Sequence, residues 1–275
     1  MKPARFDYVR AESLAEAHDV LASEGGEASV LAGGQSLLPL LSTRLARPKV
    51  VLDIMRIPAL DVISQESAAI CIGATVRQAK LAAWPELVNA QPLLAAALPF
   101  IGHAQTRSRG TVCGSVAHAD PSAELPLVLV ALDGRVHLRS RRKARQMPAS
   151  EFFTGMMATV CADDEIIEAV SLPAAKPGTG YAFREVARRH GDFAIIACAA
   201  VVDQNGARLA VGGVADRPMA LDLPVPGSPE LPDALNQFAW DLDARDDLHA
   251  TARYRRELVR RIGREVIEEA QRCRA

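Results

Sequence analysis

The chain is poor in cysteine and in aromatic rings, and it contains no long apolar run. Five cysteines, Cys71, Cys113, Cys161, Cys198 and Cys273, are scattered over 275 residues, and no two form a C-x-x-C pair. The odd count and wide spacing argue against a disulfide framework. They also argue against an iron–sulfur cluster or structural zinc held by this chain alone, since such sites gather several thiolates at short spacing. Cys71 and Cys198 stand in apolar runs and read as buried packing residues. The longest apolar run, Phe193 to Val202, has ten residues, well short of the ~20 that a membrane-spanning helix needs. The N-terminal segment MKPARFDYVRAESL lacks the apolar centre of a signal peptide, so a cytoplasmic location is expected. Charge of one sign is also missing. The 32 basic and 33 acidic side chains leave a net charge of −1, with no general attraction to nucleic acid or to an anionic membrane.

Several motifs are absent too. No G-x-G-x-x-G follows the first strand, and there is no G-x-x-x-x-G-K-[ST], which disfavours a Rossmann or P-loop nucleotide site. His103, His118, His137 and His190 show no close metal-ligand spacing. Ser36 and Ser115 are outside any G-x-S-x-G elbow, which argues against a hydrolase nucleophile. What remains is 49% hydrophobic and 24% charged, an ordinary globular balance, on a chain long enough for two domains.

A helix is expected over 13–24, opened by a Ser13/Glu16 capping box and stopped by Gly25-Gly26. A strand at Ser29–Leu31, a loop at 32–36, a helix at Leu37–Ala46 ended by Pro48, and a strand at Lys49–Ile54 complete a small α/β unit. Residues 68–74 alternate as a strand does. Residues 76–102 read as two or three short helices, 103–115 as a polar glycine-containing loop, and 122–132 as a helix. Strands are expected at Arg135–Leu138 and Glu165–Leu172. The Pro- and Gly-rich stretch 174–180 marks a boundary. Beyond it, Tyr181–Arg188, Phe193–Asp203 and Ala207–Val214 read as a three-stranded antiparallel sheet, with Gln204-Asn205-Gly206 as a hairpin turn. Residues 217–232 read as a Pro-rich loop. Leu248–Arg274 reads as a charged helix whose arginines, Arg253, Arg255, Arg256, Arg260 and Arg261, form a solvated face.

Two loops carry the chemistry. In AGGQSLL (32–38), two glycines allow close backbone approach and positive φ, and successive N–H groups at a helix start form an anion site. In RGTVCGSVAHADPSAELP (109–126), Thr111 and Ser115 offer hydroxyls and Asp120 and Glu124 offer carboxylates, with Ser122 a candidate N-cap. Hydroxyls and glycines beside a helix suit a pyrophosphate, and a nearby carboxylate suits ribose or ribityl hydroxyls. Taken alone, the first loop also reads as a plain tight turn and the second as a capped helix start after a turn.

AGGQSLLPL (32–40), VLDI (51–54), ICIGA (70–74) and TVCGSVAHADPSAELP (111–126) together resemble the FAD-binding medium subunit of the xanthine oxidase and carbon monoxide dehydrogenase family of molybdenum hydroxylases. EIIEAVSLP (165–173), FREVARRHGDFA (183–194) and LAVGGVADRP (209–218) continue the match in order and spacing, so it covers nearly the whole chain. The resemblance implies an α+β, PCMH/VAO-type FAD-binding fold. An FAD-binding domain at 1–175 (α/β subdomains of about 1–55 and 56–175) would precede a C-terminal domain at 176–275 with a three-stranded antiparallel sheet and helices. By matched position, Leu31, Ala32, Gly33, Gly34, Gln35, Ser36, Leu37 and Leu38 would cradle the FAD pyrophosphate through backbone N–H groups. Thr111, Val112, Cys113, Gly114 and Ser115 would complete that cradle. Ile101 and Gly102 would lie near the adenine, and Glu124, with Asp120, would bind the hydroxyl-rich linker. Ile167 would pack on the cofactor, and Arg184 and Phe193 would approach the isoalloxazine ring. Ordinary core packing is the competing reading for Ile167 and Phe193.

The resemblance further implies FAD in this chain, with a molybdenum cofactor and [2Fe-2S] clusters in a large and a small partner subunit, assembled as a heterotrimer or a dimer of heterotrimers. Electrons would pass from the partner's clusters through FAD to an external acceptor. Two departures stand out: Cys113 replaces a glycine, which would be strained if φ were positive there, and Arg184 replaces a frequent lysine. Two other readings use the same residues. One is a stand-alone flavin oxidoreductase of VAO type, against which stand the absence of a Tyr/His/Arg cluster and a total of three tyrosines. The other is a non-catalytic assembly subunit that has lost FAD, which Cys113 alone favours.

Overall fold

Residues 2–53 fold around a buried apolar strand. In the computed structural model, which describes residues 2–66 and 68–274, β1 (Asp7–Arg10), α1 (Leu14–Glu24), β2 (Ala28–Leu31), α2 (Leu37–Ser42) and β3 (Val50–Asp53) form this unit. Its three strands are parallel, with β3 between β1 and β2. The run Val50-Val51-Leu52 is buried, as a central parallel strand requires. Ser13 caps α1 by accepting the Glu16 N–H at 3.2 Å, while Glu16 reaches back to the Glu12 N–H at 2.9 Å. The helix expected to run to Ala46 ends at Ser42, because Arg44 turns left-handed at φ +61°. His18 of α1 is buried, with Nε2 3.8 Å from a Glu168 carboxylate oxygen.

The next stretch runs through β4 (Ile63–Glu66), β5 (Ala69–Gly73), α3 (Gln78–Ala82), α4 (Leu87–Ala90), α5 (Pro92–Ala97), α6 (Ala104–Arg109), α7 (Val112–His118), α8 (Glu124–Ala131), β6 (Arg135–Arg139), β7 (Ala144–Pro148), α9 (Ala149–Phe152), β8 (Phe153–Gly155), β9 (Ala158–Thr159) and β10 (Ile166–Pro173). Five of its strands form an antiparallel sheet in the order β4-β5-β10-β6-β7. Every residue of α8 is buried, so it threads the core. The expected polar loop over 103–115 is instead α6 and the start of α7. Thr111 holds α7 by accepting the Gly114 N–H at 3.1 Å. Ser122 does not cap α8. Ala123 occupies that position, and the Ser122 N–H donates to Asp120 Oδ1 at 2.8 Å.

The last stretch holds β11 (Gly180–Val186), β12 (Ile196–Val202), β13 (Ala207–Gly212), β14 (Met219–Leu223), α10 (Leu231–Asp241) and α11 (Ala252–Arg272). Its antiparallel sheet has four strands, not three. The fourth, β14, lies in the supposed Pro-rich loop and pairs with β13 along Ala207–Val211. The hairpin at Asn205-Gly206 forms, with Asp203 Oδ1 accepting both of their N–H groups. One face of the sheet, including Tyr181, Phe183, Ala197, Ala199 and Ala210, joins the core that contains α5 and α8. The other, including Ala182, Cys198, Leu209 and Val211, packs on α10 and α11. Arg255 departs from the solvated face expected of α11. It is 5% exposed and donates to the Arg245 carbonyl and to Asp247 Oδ2, both at 2.7 Å. Among the described residues, no helix is long and apolar enough to cross a membrane.

Candidate cofactor-binding site

The first loop leaves the C-terminal end of β2, beside β3, where a parallel sheet leaves its crevice open. Gly34 takes φ +74°, and Leu38 closes the first helical bond by donating to the Gly34 carbonyl at 3.1 Å. Gln35 folds back, its Nε2 donating to the Gly33 carbonyl at 3.4 Å. Ser36 stands at the N-cap position of α2 without a side-chain cap. The N–H groups of Gly33, Gly34, Gln35 and Ser36 have no acceptor among the described residues. A row of unsatisfied donors at a helix start favours an anion.

The second loop meets the first at Gly33. A Cβ at that position would stand 2.3 Å from the Arg109 carbonyl oxygen and 2.8 Å from Gly110 Cα. Only a residue without a side chain lets the backbones approach so closely. Gly110 is fixed in turn, since its carbonyl accepts the Gln78 N–H at 2.8 Å and its N–H donates to the Thr106 carbonyl at 2.7 Å. Thr111 and Cys113, just beyond it, also carry N–H groups without an acceptor among the described residues. The structure therefore brings residues 31–38 and 111–115 to one junction. It presents donors from two helix starts, which suits a diphosphate with its negative oxygens.

Cys113 is the second residue of α7 and has an ordinary helical backbone, so the strain expected of a non-glycine there does not arise. Its side chain is 2% exposed, turns into the core, and donates weakly to the Ile72 carbonyl at 3.5 Å. Burial pushes its thiol pKa up, which removes thiolate character. The residue fills space and leaves the loop's backbone donors free.

Ile101 and Gly102 sit on a turn with Gly102 at φ +47°. Arg107, which sequence reasoning missed, pins that turn by donating to the Ile101 and Gly102 carbonyls at 2.8 and 3.0 Å. Gly191 presses on the same turn: a Cβ there would meet His103 at 2.6 Å and the Gly102 carbonyl at 3.1 Å. The segment after β11 is thus laid against residues 100–103, and Phe100 contacts Phe183 with ring centroids 5.2 Å apart. Phe193, at the end of this segment, is 65% exposed and lies before β12 rather than inside it. Core packing is thereby excluded for it. Ile167, by contrast, is 7% exposed and belongs to the core around the central sheet.

Arg184 faces α11. Its Nε and Nη1 bind Glu269 and Glu265 of α11 at 2.7 and 3.0 Å. Side chains on a strand alternate, and Arg184 shares its face with Ala182, which packs toward α11. Glu185 takes the opposite face, with Phe183. Burial raises the Glu185 carboxyl to about 8, with the Glu124 charge adding to the shift. Glu124, 5% exposed at the start of α8, is raised to about 7 by burial, with a contribution from Asp120.

The chain is similar to several known proteins. A family model described as the FAD binding domain in molybdopterin dehydrogenase matches residues 4–175. The alpha subunit of the 6-hydroxypseudooxynicotine dehydrogenase complex of Paenarthrobacter nicotinovorans is 39% identical over 94% of this chain and 92% of its own. The medium chain of carbon monoxide dehydrogenase from Hydrogenophaga pseudoflava is 36% identical over 75% of this chain and 72% of its own. Among solved structures, carbon monoxide dehydrogenase from Hydrogenophaga pseudoflava, in a form lacking the Mo-pyranopterin moiety of its cofactor, matches with a TM-score of 0.92 at 31% identity and full coverage of both chains. Quinoline 2-oxidoreductase from Pseudomonas putida 86 matches with a TM-score of 0.89, 31% identity and 99% coverage of each.

Proposed function

The chain belongs to the family of FAD binding domains in molybdopterin dehydrogenase, and on that premise we propose that it is the electron-transferring FAD subunit of a molybdenum-dependent hydroxylase or dehydrogenase. The observation that carries this reading is the contact of Gly33 with Arg109 and Gly110, which sets two clusters of free N–H groups side by side. Residues 31–38 and 111–115 hold the diphosphate by backbone hydrogen bonds. Ile101 and Gly102, on the turn pinned by Arg107, border the adenine. Glu124 and Asp120 take the hydroxyl-bearing linker. Phe193, exposed on the segment after β11, offers its ring face to the isoalloxazine. Bound FAD supplies a redox group able to exchange electrons with both the partner and the acceptor. The chain's own part is to bind, orient and shield it.

In this reading, residues 1–175 form the FAD-binding domain, divided near residue 55, and 176–275 the domain that covers the flavin. A large molybdopterin subunit acts on the substrate. A small subunit with [2Fe-2S] clusters relays electrons to this chain, which passes them to an external acceptor. The naming of several relatives as medium chains or complex subunits supports such a division. Co-expression of this chain with a molybdopterin subunit and an iron–sulfur subunit tests the proposal. A complex containing flavin, iron and molybdenum is expected. A colourless chain that takes up no added FAD would contradict it. A flavin-loaded chain that oxidises a substrate without partners would favour the stand-alone oxidase.

A further inference from the structure

The motif LAVGGVADRP (209–218) lies outside the two cradle loops but touches the stretch that continues the second one. It leaves β13 at Gly212-Gly213 and there meets residues 119–123, which join α7 to α8, carry Asp120 and lead into Glu124. The Gly213 N–H donates to the Pro121 carbonyl at 2.7 Å. The approach is close. A Cβ on Gly212 would stand 3.1 Å from the same carbonyl oxygen and 3.5 Å from the Leu127 side chain of α8. Gly213 takes φ +78°, and a Cβ there would meet the Ala194 and Ile195 carbonyls at 2.9 and 3.0 Å. Glycine at both positions therefore lets the sheet end seat directly on the loop.

The same stretch is held from a second side. The hairpin of β8 and β9 turns through Met156 and Met157, and the Met157 N–H donates to the Ala119 carbonyl at 3.1 Å. Ala119 is left-handed at φ +53°, a conformation that a residue with a side chain keeps where its surroundings hold it. Between these two anchor points, Asp120 Oδ1 accepts the Ser122 N–H at 2.8 Å, and the Asp120 carbonyl accepts the Ala123 N–H at 3.0 Å. A backbone shift at Ala119 or Pro121 thus carries the Asp120 carboxylate with it.

Arg217 joins the two supports. Its Nη1 donates to the carbonyl of buried Phe153, the first residue of β8, at 2.9 Å. The neighbouring Asp216 is engaged by Arg245 at 2.9 Å, which leaves the Arg217 guanidinium to the hairpin. Gly213 on Pro121, Met157 on Ala119 and Arg217 on Phe153 close a triangle around the loop. We infer that Arg217 is a cofactor-positioning residue: by tying the 212–217 segment to the β8–β9 hairpin, it fixes residues 119–123 from two sides and so sets Asp120 and Glu124 against the hydroxyl-bearing linker of FAD. Arg217 acts through the loop and not on the cofactor. The inference rests on the FAD reading above for the identity of the ligand, whereas the strut itself does not depend on it.

The test uses the full chain as wild type, Arg217→Met, Arg217→Lys and Arg245→Met. FAD affinity is read by fluorescence titration, and hydrogen exchange at the Met157 and Gly213 amides is read in the apo protein. Arg217→Met removes the donor, so the FAD dissociation constant should rise about tenfold, and both amides should exchange about tenfold faster. The two amides stand on separate supports, so their joint loosening marks a strut and not a local defect. Arg217→Lys keeps a cationic donor and should recover part of the affinity. Arg245→Met breaks an ion pair of the same segment without touching the hairpin and should leave both readouts at wild-type values. Wild-type affinity in Arg217→Met, a loss that Arg217→Lys does not relieve, or equal losses in Arg217→Met and Arg245→Met would overturn the inference. Should Arg217→Met fail to fold, Arg217→Lys carries the test. It is then expected to bind FAD more weakly than Arg245→Met with both amides faster, and wild-type values in it overturn the inference. If wild type binds no FAD, the positioning role falls with the FAD reading, and the exchange rates show separately whether the strut stands.

Discussion

Replacing Gly33 by alanine should separate the two loops. The added Cβ would stand 2.3 Å from the Arg109 carbonyl oxygen and 2.8 Å from Gly110 Cα. Ordinary contact begins near 3.4 Å, so the loops must part by about 1 Å, and backbone atoms cannot rotate aside as a side chain would. Gly33 is not among the residues of positive φ, so the change adds no backbone strain and acts through steric contact. Overpacking of this kind costs about 1–3 kcal/mol. If that cost falls on the closed junction, the dissociation constant for FAD rises roughly 5- to 140-fold. Gly155→Ala is the control, with nothing within 4 Å of its added Cβ and no positive φ. Fluorescence titration of the full chain with FAD, paired with thermal melting of the apo protein, reads both effects. Wild-type affinity in Gly33→Ala would refute the reasoning, and a lowered melting point with unchanged affinity would show the contact to be structural only.

Three further substitutions probe other links. Glu165, 8% exposed, accepts from Arg145 Nε at 2.7 Å and Nη2 at 2.6 Å. Glu165→Gln should cost about 3 kcal/mol at neutral pH by leaving the guanidinium uncompensated, measured by urea unfolding. The arginine holds the Glu165 carboxyl below its usual range, so its stabilisation is present above the unfolded value near 4.5 and is lost as pH falls through the lower folded value. The variant should lack this part of the acid sensitivity. Phe193→Ala should leave apo melting unchanged, because the ring is 65% exposed, while FAD affinity falls about tenfold through loss of aromatic contact. Arg184→Met should cost under about 1 kcal/mol, as half-exposed ion pairs do. It should leave the flavin reduction potential unchanged, and a shifted potential would return Arg184 to the cofactor.

The elements that sequence shows plainly are those whose residues bury one clear face. The capped α1, the β-branched run of β3 and the Asn-Gly hairpin between β12 and β13 are legible for that reason. The missed elements lack such a signal. β14 is an edge strand of five residues lying between Pro218 and Pro224, with Leu221 and Asp222 exposed, so its alternation is weak. α7 reads VCGSVAH, a composition poor in helix formers. It forms because Thr111 caps it and because Val112, Cys113 and Val116 are buried. The glycine loops were legible as motifs, but their contact joins residues 33 and 109, which no local pattern encodes. Matching positions to a family identifies a segment, whereas the pleat of β11 decides which face a side chain takes, and it turns Arg184 to Glu265 and Glu269 of α11.

The most direct measurement is the crystal structure of the full chain bound to FAD. The diphosphate oxygens are expected within about 3.2 Å of backbone nitrogens from both residues 33–36 and residues 111–115, with Gly33 still seated on Arg109. A diphosphate held by side chains elsewhere, or bound to one loop with the other turned away, would contradict the shared cradle.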